Sequence, residues 1–133
     1  MTYLTTRNGA PISRLTFGTM QFGGTAHASE SAAMFEAAIA GGINHFDTAV
    51  AYTGGMSEKI IGALVKDKRD DLYLATKVGY VGGASKANIT AQFEKCRQQL
   101  NADSVDLLYL HRFDDDTQLE ETFGTLAEMQ SAG

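Results

Sequence analysis

Short apolar runs alternate with segments of helical period four times along the chain, and this alternation constrains the fold more than any other feature. The four runs are LTFGTM, INHFDT, LYLATKV and VDLLYLH. The last three begin near residues 43, 72 and 105, so the pattern repeats every ~30 residues, the length of a strand followed by a helix. A strand–helix–strand order with right-handed crossovers predicts a parallel sheet covered by helices.

The segments between the runs carry apolar residues at helical spacing and recognisable end signals. Helices are predicted over residues 30–40, 57–66 and 86–100 and from 119 onward. The pair Gly41-Gly42 is typical of the end of a helix. Ser57 is the predicted N-cap of the second helix, and a capping box of Thr117 and Glu120 is predicted before the fourth.

Ahead of the first run, Asn8-Gly9 lies between two short extended segments and predicts a hairpin over about residues 3–13 closed by a type I′ turn. The whole chain, residues 1–133, is then one domain: a hairpin followed by four βα units that begin near residues 15, 43, 72 and 105. An open flavodoxin-like sheet and a (β/α)8 barrel both fit this order. The hydrophobic pattern alone does not separate them.

Charge and cysteine content exclude several classes of function. The net charge is -5 and the chain has no run of lysine or arginine, which argues against nucleic acid or an anionic membrane surface as a partner. The single cysteine, Cys96, excludes an internal disulfide framework, and its helical spacing predicts that it is buried. No window approaches the ~20 apolar residues of a membrane span. We expect a cytoplasmic protein.

Polar residues fall at the ends of three predicted strands. Asp47 ends the second run, Lys77 the third and His111 the fourth, and Tyr52 follows in the glycine-flanked loop after Asp47. The carboxyl ends of parallel strands are where α/β folds place their chemistry. We therefore expect these four side chains to meet at one edge of the sheet.

These residue types together suit proton donation to a carbonyl group. A phenol is a weak acid at neutral pH, and a nearby ammonium favours its ionised form. A carboxylate beside the lysine keeps the ammonium charged and oriented, and a histidine at the same edge can hydrogen-bond a carbonyl oxygen. Asp47, Tyr52, Lys77 and His111 are therefore the candidate site for a carbonyl that receives a hydride.

Other polar residues have simpler interpretations. His45 lies mid-strand and is interpreted as a core histidine, and His27 as a solvated loop residue. The acidic run 114–116 is interpreted as a solvated segment before the last helix. The histidines and aspartates are too scattered for a defined metal site, so no metal is predicted. The glycine-rich GTMQFGG matches neither G-x-G-x-x-G nor a P-loop, although an open α/β phosphate-binding module is a rival interpretation of that loop.

Four segments follow one another along the chain: RLTFGTMQFGG, GINHFDTAVAY, LATKV and DLLYLHRFD. In sequence and order they resemble segments of the aldo-keto reductases. The resemblance covers nearly the whole chain, including the N-terminal hairpin that closes the barrel floor in that family. It implies a (β/α)8 barrel that binds NADPH without a Rossmann domain and reduces aldehydes or ketones to alcohols. By this resemblance Tyr52 is the general acid, Lys77 and Asp47 tune it, and His111 orients the substrate carbonyl.

The resemblance also implies where a cofactor contacts the chain. Gly18, Thr19 and Met20 match the first-strand loop beside the nicotinamide end, and Asp47 matches a contact to the nicotinamide ribose. The implied cofactor is NADPH, with NADH as an alternative, and the implied partner is a small carbonyl substrate.

Four βα units supply half of a barrel, because a complete one takes about 250 residues. We therefore expect the chain to be the first half of an aldo-keto reductase, with the remaining half in the same longer chain or, if the protein is short, with self-association. The isolated 133 residues are expected to have little or no activity. A rival function within the resemblance is a cofactor-binding regulatory or channel-associated subunit without significant turnover.

Overall fold

The computed structural model describes residues 4–133 and contains one four-stranded parallel sheet. The strands are β1 (Phe17–Gly18), β2 (His45–Asp47), β3 (Tyr73–Val78) and β4 (Leu107–Leu110). Each strand pairs with the next along the chain, in the order β1-β2-β3-β4. A flavodoxin-like sheet places its second strand outside its first, whereas barrel strands follow one another in chain order. The observed order therefore excludes the open alternative and is that of a partial (β/α)8 barrel.

Four helices cover one face of this sheet, as the periodicity predicts. They are α1 (Ala28–Ala40), α2 (Met56–Val65), α3 (Lys86–Leu100) and α4 (Leu119–Ala132). Two short 3-10 segments, Tyr52–Gly55 and Lys66–Asp71, precede and follow α2. β1 and β2 are shorter than the apolar runs that predicted them. Among residues 4–133, no helix is long and apolar enough to cross a membrane.

The hydrophobic core lies between the sheet and the helices. Its largest fully buried apolar side chains are Phe22, Phe35, Phe46, Ile61, Leu74, Ile89, Leu100 and Val78. Burying one such side chain contributes ~1.5–3 kcal/mol, so this layer is the main source of stability. Cys96 is part of the same core, which confirms the prediction that it is buried.

Two predicted helix starts are wrong. The N-cap of α2 is Gly55, which has a left-handed φ of 94°, and Ser57 is instead fully buried in the first turn. The N-cap of α4 is Gln118, and its side chain makes no capping bond. The Thr117 hydroxyl donates instead to Oδ2 of Asp114, at 2.6 Å. A tertiary hydrogen bond to the carbonyl of Thr19 takes the Ser57 side chain, and a bond within the preceding loop takes that of Thr117.

The N-terminal hairpin is present, but its turn is not type I′. Thr5 and Pro11 form an antiparallel bridge, and the amide of Gly9 donates to the carbonyl of Thr6 at 2.9 Å. A type I′ turn needs positive φ at both central residues, and here Gly9 is left-handed (φ 82°) while Asn8 is not. The amide of Asn8 donates to the carbonyl of Asp70, which ties the turn to the 3-10 segment before β3. Residue 3, the predicted start, lies outside the described residues.

Candidate active site

The carboxyl ends of β2 and β3 join in an ion pair. The ammonium of Lys77 donates to Oδ2 of Asp47 at 2.5 Å and to the carbonyl of Thr48 at 2.9 Å. The side chains of Lys77 and Asp47 are 16% and 23% exposed. Two acceptors from one strand end therefore orient the ammonium in a partly buried setting, where a charge interaction is screened less than at the surface.

Tyr52 and His111 complete the group. The Nζ atom of Lys77 lies 5.0 Å from the centroid of the Tyr52 ring. The Tyr52 and His111 rings meet edge to face, with centroids 5.6 Å apart and planes at 88°. The four side chains that the sequence places at strand ends and in the following loop thus surround one point at the mouth of the partial barrel.

A left-handed turn presents Tyr52 to this point. Thr53, Gly54 and Gly55 follow it with φ of 50°, 65° and 94°. A left-handed conformation is unfavourable for a residue with a Cβ, so Thr53 must be held by its surroundings. Its hydroxyl donates to the carbonyl of Phe22 at 2.7 Å and accepts from the amide of Ser57 at 2.9 Å.

The surroundings of His111, at the end of β4, disfavour its charged form. Its backbone amide donates to the carbonyl of Val78 at 2.7 Å, which extends the sheet ladder by one step. Burial lowers the pKa of His111 below 6.5, the Lys77 ammonium lowers it further, and Asp47 acts in the opposite direction. A neutral imidazole can donate a hydrogen bond without carrying charge.

His45 lies below this point on the inner face of the sheet. It was predicted to be a core histidine, and it is partly buried: its Nδ1 lies 2.8 Å from the hydroxyl of Thr16. Burial lowers the pKa of His45, against the opposing effect of Asp47. The ring faces a cavity of about 380 Å³ that the ion pair also lines. The lining residues are Thr16, His45, Asp47, Lys77, Tyr109, Leu110 and His111.

The sequence predicts that the acidic run after β4 is a solvated segment. In the structure, one of its residues is held by hydrogen bonds. Oδ2 of Asp114 accepts from the amide of Ala84 at 2.7 Å and from the hydroxyl of Thr117. These hydrogen bonds, that of Thr117 foremost, lower the pKa of Asp114. Asp114 therefore joins the loops that follow β3 and β4. His27, which was interpreted as a solvated loop residue, is exposed at the start of α1.

The predicted cofactor loop offers open space at two of its three residues. A side-chain carbon on Gly18 would meet nothing within 4 Å, and Met20 is 52% exposed. Thr19 is fully buried, and its hydroxyl donates to the carbonyl of Asp47 at 3.0 Å. The backbone of Thr19 is occupied as well, because its amide donates to the carbonyl of Asp47 and its carbonyl accepts from the amide of Phe22. Among residues 4–133, no three His, Cys, Asp or Glu side chains are arranged to hold a metal ion.

Two buried polar residues beside the site are absent from the sequence-based prediction. Glu58 and Gln99 are 0% and 9% exposed, and the Nε2 atom of Gln99 donates to Oε2 of Glu58 at 2.6 Å. The sequence does contain a signal for this buried pair. Glu58 shares the apolar stripe of α2 with Ile61 and Val65, and Gln99 lies beside Leu100 on the buried face of α3. A polar residue on an apolar stripe indicates a buried partner.

Comparison with known proteins agrees with the fold. Residues 14–133 match the family model described as "Aldo/keto reductase family", so the chain belongs to that family. It is 32% identical over 126 residues to a protein of Oryza sativa subsp. japonica described as "Probable voltage-gated potassium channel subunit beta". That match covers 87% of this chain and 38% of the rice protein.

Solved structures give the same result. The crystal structure of the thermostable aldo-keto reductase Tm1743 with the inhibitor epalrestat is 32% identical, with a TM-score of 0.85. It aligns with 100% of this chain, which covers 51% of that structure. An aldo-keto reductase from Klebsiella pneumoniae in complex with NADPH is 28% identical, with a TM-score of 0.84 over 100% of this chain and 47% of its own. The chain thus spans about half the length of these solved structures.

Proposed function

We propose that a complete barrel containing this chain reduces aldehydes or ketones to alcohols with a nicotinamide nucleotide, and that Tyr52 is the general acid. One observation carries the proposal. The ammonium of Lys77, held by Asp47, lies 5.0 Å from the centre of the Tyr52 ring, and that ring contacts His111. In this arrangement an acid, a cation and a neutral hydrogen-bond donor converge.

The chemistry follows from the charge that develops on the substrate. When a carbonyl carbon receives a hydride, its oxygen gains negative charge and needs a proton. The phenol of Tyr52 supplies the proton, and the neighbouring ammonium of Lys77 favours the phenolate that remains. A neutral His111 donates a hydrogen bond to the same oxygen and fixes its direction. Asp47 keeps Lys77 in place throughout.

The cofactor we propose is NADPH, with NADH as an alternative, and it supplies the hydride when bound. Gly18 and Met20 would hold it together with Asp47, because Gly18 and Met20 border open space and Asp47 lines the cavity beside Lys77. The NADPH complex of the Klebsiella pneumoniae neighbour supports this choice. We also propose a cytoplasmic location, where this nucleotide is available.

Replacing Tyr52 by phenylalanine in the complete barrel tests the role of the hydroxyl. Turnover with a model aldehyde should fall by about a hundredfold to ten-thousandfold, the usual contribution of a general acid. NADPH affinity, measured by fluorescence titration, should stay the same. Tyr73→Phe is the matched control, because the Tyr73 hydroxyl bonds the carbonyl of Asp106 at the opposite end of β3. Unchanged turnover in Tyr52→Phe would rule out the acid role. The isolated 133 residues should show little or no NADPH oxidation.

A second candidate is a cofactor-binding regulatory or channel-associated subunit without significant turnover. The similarity to the rice protein named as a potassium channel subunit favours it. NADPH titration combined with turnover on a panel of carbonyl compounds separates the two. Binding without turnover on any compound supports the subunit, and turnover that depends on Tyr52 supports the reductase.

A further inference from the structure

We propose that Glu58 and Gln99 are positioning residues that hold the Tyr52 turn against the strand carrying Lys77. The inference rests on the proposed function and adds two residues that lie behind the site rather than in it. Both belong to helices, Glu58 to α2 and Gln99 to α3, and both are buried beneath the turn.

Glu58 links α2, the helix that directly follows the Tyr52 turn, to β3. Its Oε1 accepts from the hydroxyl of Thr76 at 2.5 Å, and its Oε2 accepts from the amide of Gln99 at 2.6 Å. Thr76 directly precedes Lys77 on β3, with its side chain on the opposite face of the sheet. Each oxygen of the carboxylate is therefore bound to a different element, and one of those bonds reaches the residue next to the catalytic lysine.

Gln99 holds the turn itself at two places. Its Nε2 donates to the carbonyl of Val50 at 3.3 Å, two residues before Tyr52. The same amide group lies close to Gly55, three residues after Tyr52. A side-chain carbon on Gly55 would stand only 2.7 Å from Cδ of Gln99 and closer still to Oε1. Gln99 thus contacts both ends of the segment that presents the phenol.

The network suits positioning better than it suits stability. A buried carboxylate is costly unless hydrogen bonds satisfy it, and within residues 4–133 no lysine or arginine pairs with Glu58. An apolar side chain would fill this place without that cost. Directional bonds do what apolar contacts cannot, because they fix the distance between the Tyr52 turn and β3.

The test is Gln99→Met in the complete barrel, with Gln98→Met as its matched control. Methionine keeps the length of the side chain and removes the bonds to Glu58 and Val50. Gln98 is the exposed neighbour on α3, and its side chain donates to Glu94 on the same helix. We expect Gln99→Met to lower kcat by about tenfold to a hundredfold, since small misplacements of a reacting group have effects of this size. The NADPH affinity of Gln99→Met should match that of the unmodified protein. The kcat of Gln98→Met should also match that of the unmodified protein.

A double variant separates positioning from a general structural role. In a Tyr52→Phe background the phenol is gone, so adding Gln99→Met should lower the residual kcat no further. An equal loss in both backgrounds would overturn the inference, as would an unchanged kcat in Gln99→Met alone. If Gln99→Met does not fold, Thr76→Val removes the other donor to Glu58 with little change of shape and should give the same pattern.

Amide hydrogen exchange gives a readout that does not depend on activity. In Gln99→Met, residues 50–55 should exchange faster than in the unmodified protein, whereas β3 and the Gln98→Met variant should not change. Unchanged exchange at residues 50–55 would overturn the positioning role. If Tyr52→Phe leaves turnover unchanged, the proposed function fails, and the exchange experiment still decides whether Gln99 holds the turn.

Discussion

Gly62 lies where α2 approaches the backbone of α3, and replacing it by alanine should loosen this helix pair. A Cβ atom added to Gly62 would stand 2.7 Å from the carbonyl carbon and 2.8 Å from the Cα of Leu100, and closer still to its oxygen. Carbon atoms pack at about 3.5–4.0 Å. The clash is with main chain, which cannot rotate away as a side chain can, so the two helices must separate.

The size of the effect follows from two opposing terms. Alanine is favoured over glycine inside a helix by about 1 kcal/mol, and overpacking a buried contact costs about 1–3 kcal/mol or more. Because the contact is with backbone, the overpacking cost lies at the upper end, about 3 kcal/mol. Subtracting the helix preference of about 1 kcal/mol leaves a net destabilisation of about 2 kcal/mol. Gly124 in α4 is the matched control. An alanine Cβ there meets nothing within 4 Å, so Gly124→Ala should gain about 1 kcal/mol.

Urea unfolding followed by circular dichroism measures the free energy of unfolding of both variants. A shift in the urea midpoint with an unchanged m-value reports the change in stability. The same chemical change should therefore shift stability in opposite directions at the two sites. A Gly62→Ala protein as stable as the parent, or more stable, would refute the close approach of α2 and α3. A destabilised Gly124→Ala would show that this helix position is not open.

Two further predictions concern the charged groups. Lys77→Met should raise the pKa of His111 toward 6.5, because the repelling ammonium is removed and Asp47 is left to attract the imidazolium; an NMR titration that shows no rise would contradict the described geometry. Asp106→Ala should destabilise the protein by about 3 kcal/mol, because it leaves Arg69, its partner at 2.6 Å, without a counter-ion in a setting where both side chains are 13% exposed. The exposed Asp103→Ala is the control and should change the free energy of unfolding by less than about 1 kcal/mol; equal effects of the two changes would count against burial as the cause.

The parts of the site that could be predicted from sequence are those fixed by strand alternation. Asp47, Lys77 and His111 each follow an apolar run, and the ends of parallel strands meet wherever the strands pair in chain order. Glu58 and Gln99 could not be paired in this way. They are 41 residues apart and meet only because α2 packs on α3. The N-cap assigned to Ser57 failed for the same reason, since its hydroxyl bonds the carbonyl of Thr19 across the core.

The sequence by itself determined the number, type and order of the strands and helices, because hydrophobic period is a local property of the chain. It also determined which residue types stand at the strand ends. Only the tertiary structure decided that the strands pair in barrel order, that Thr53 takes a left-handed conformation, and that Tyr52 faces Lys77. These outcomes depend on contacts between distant segments, whose energies no local pattern records.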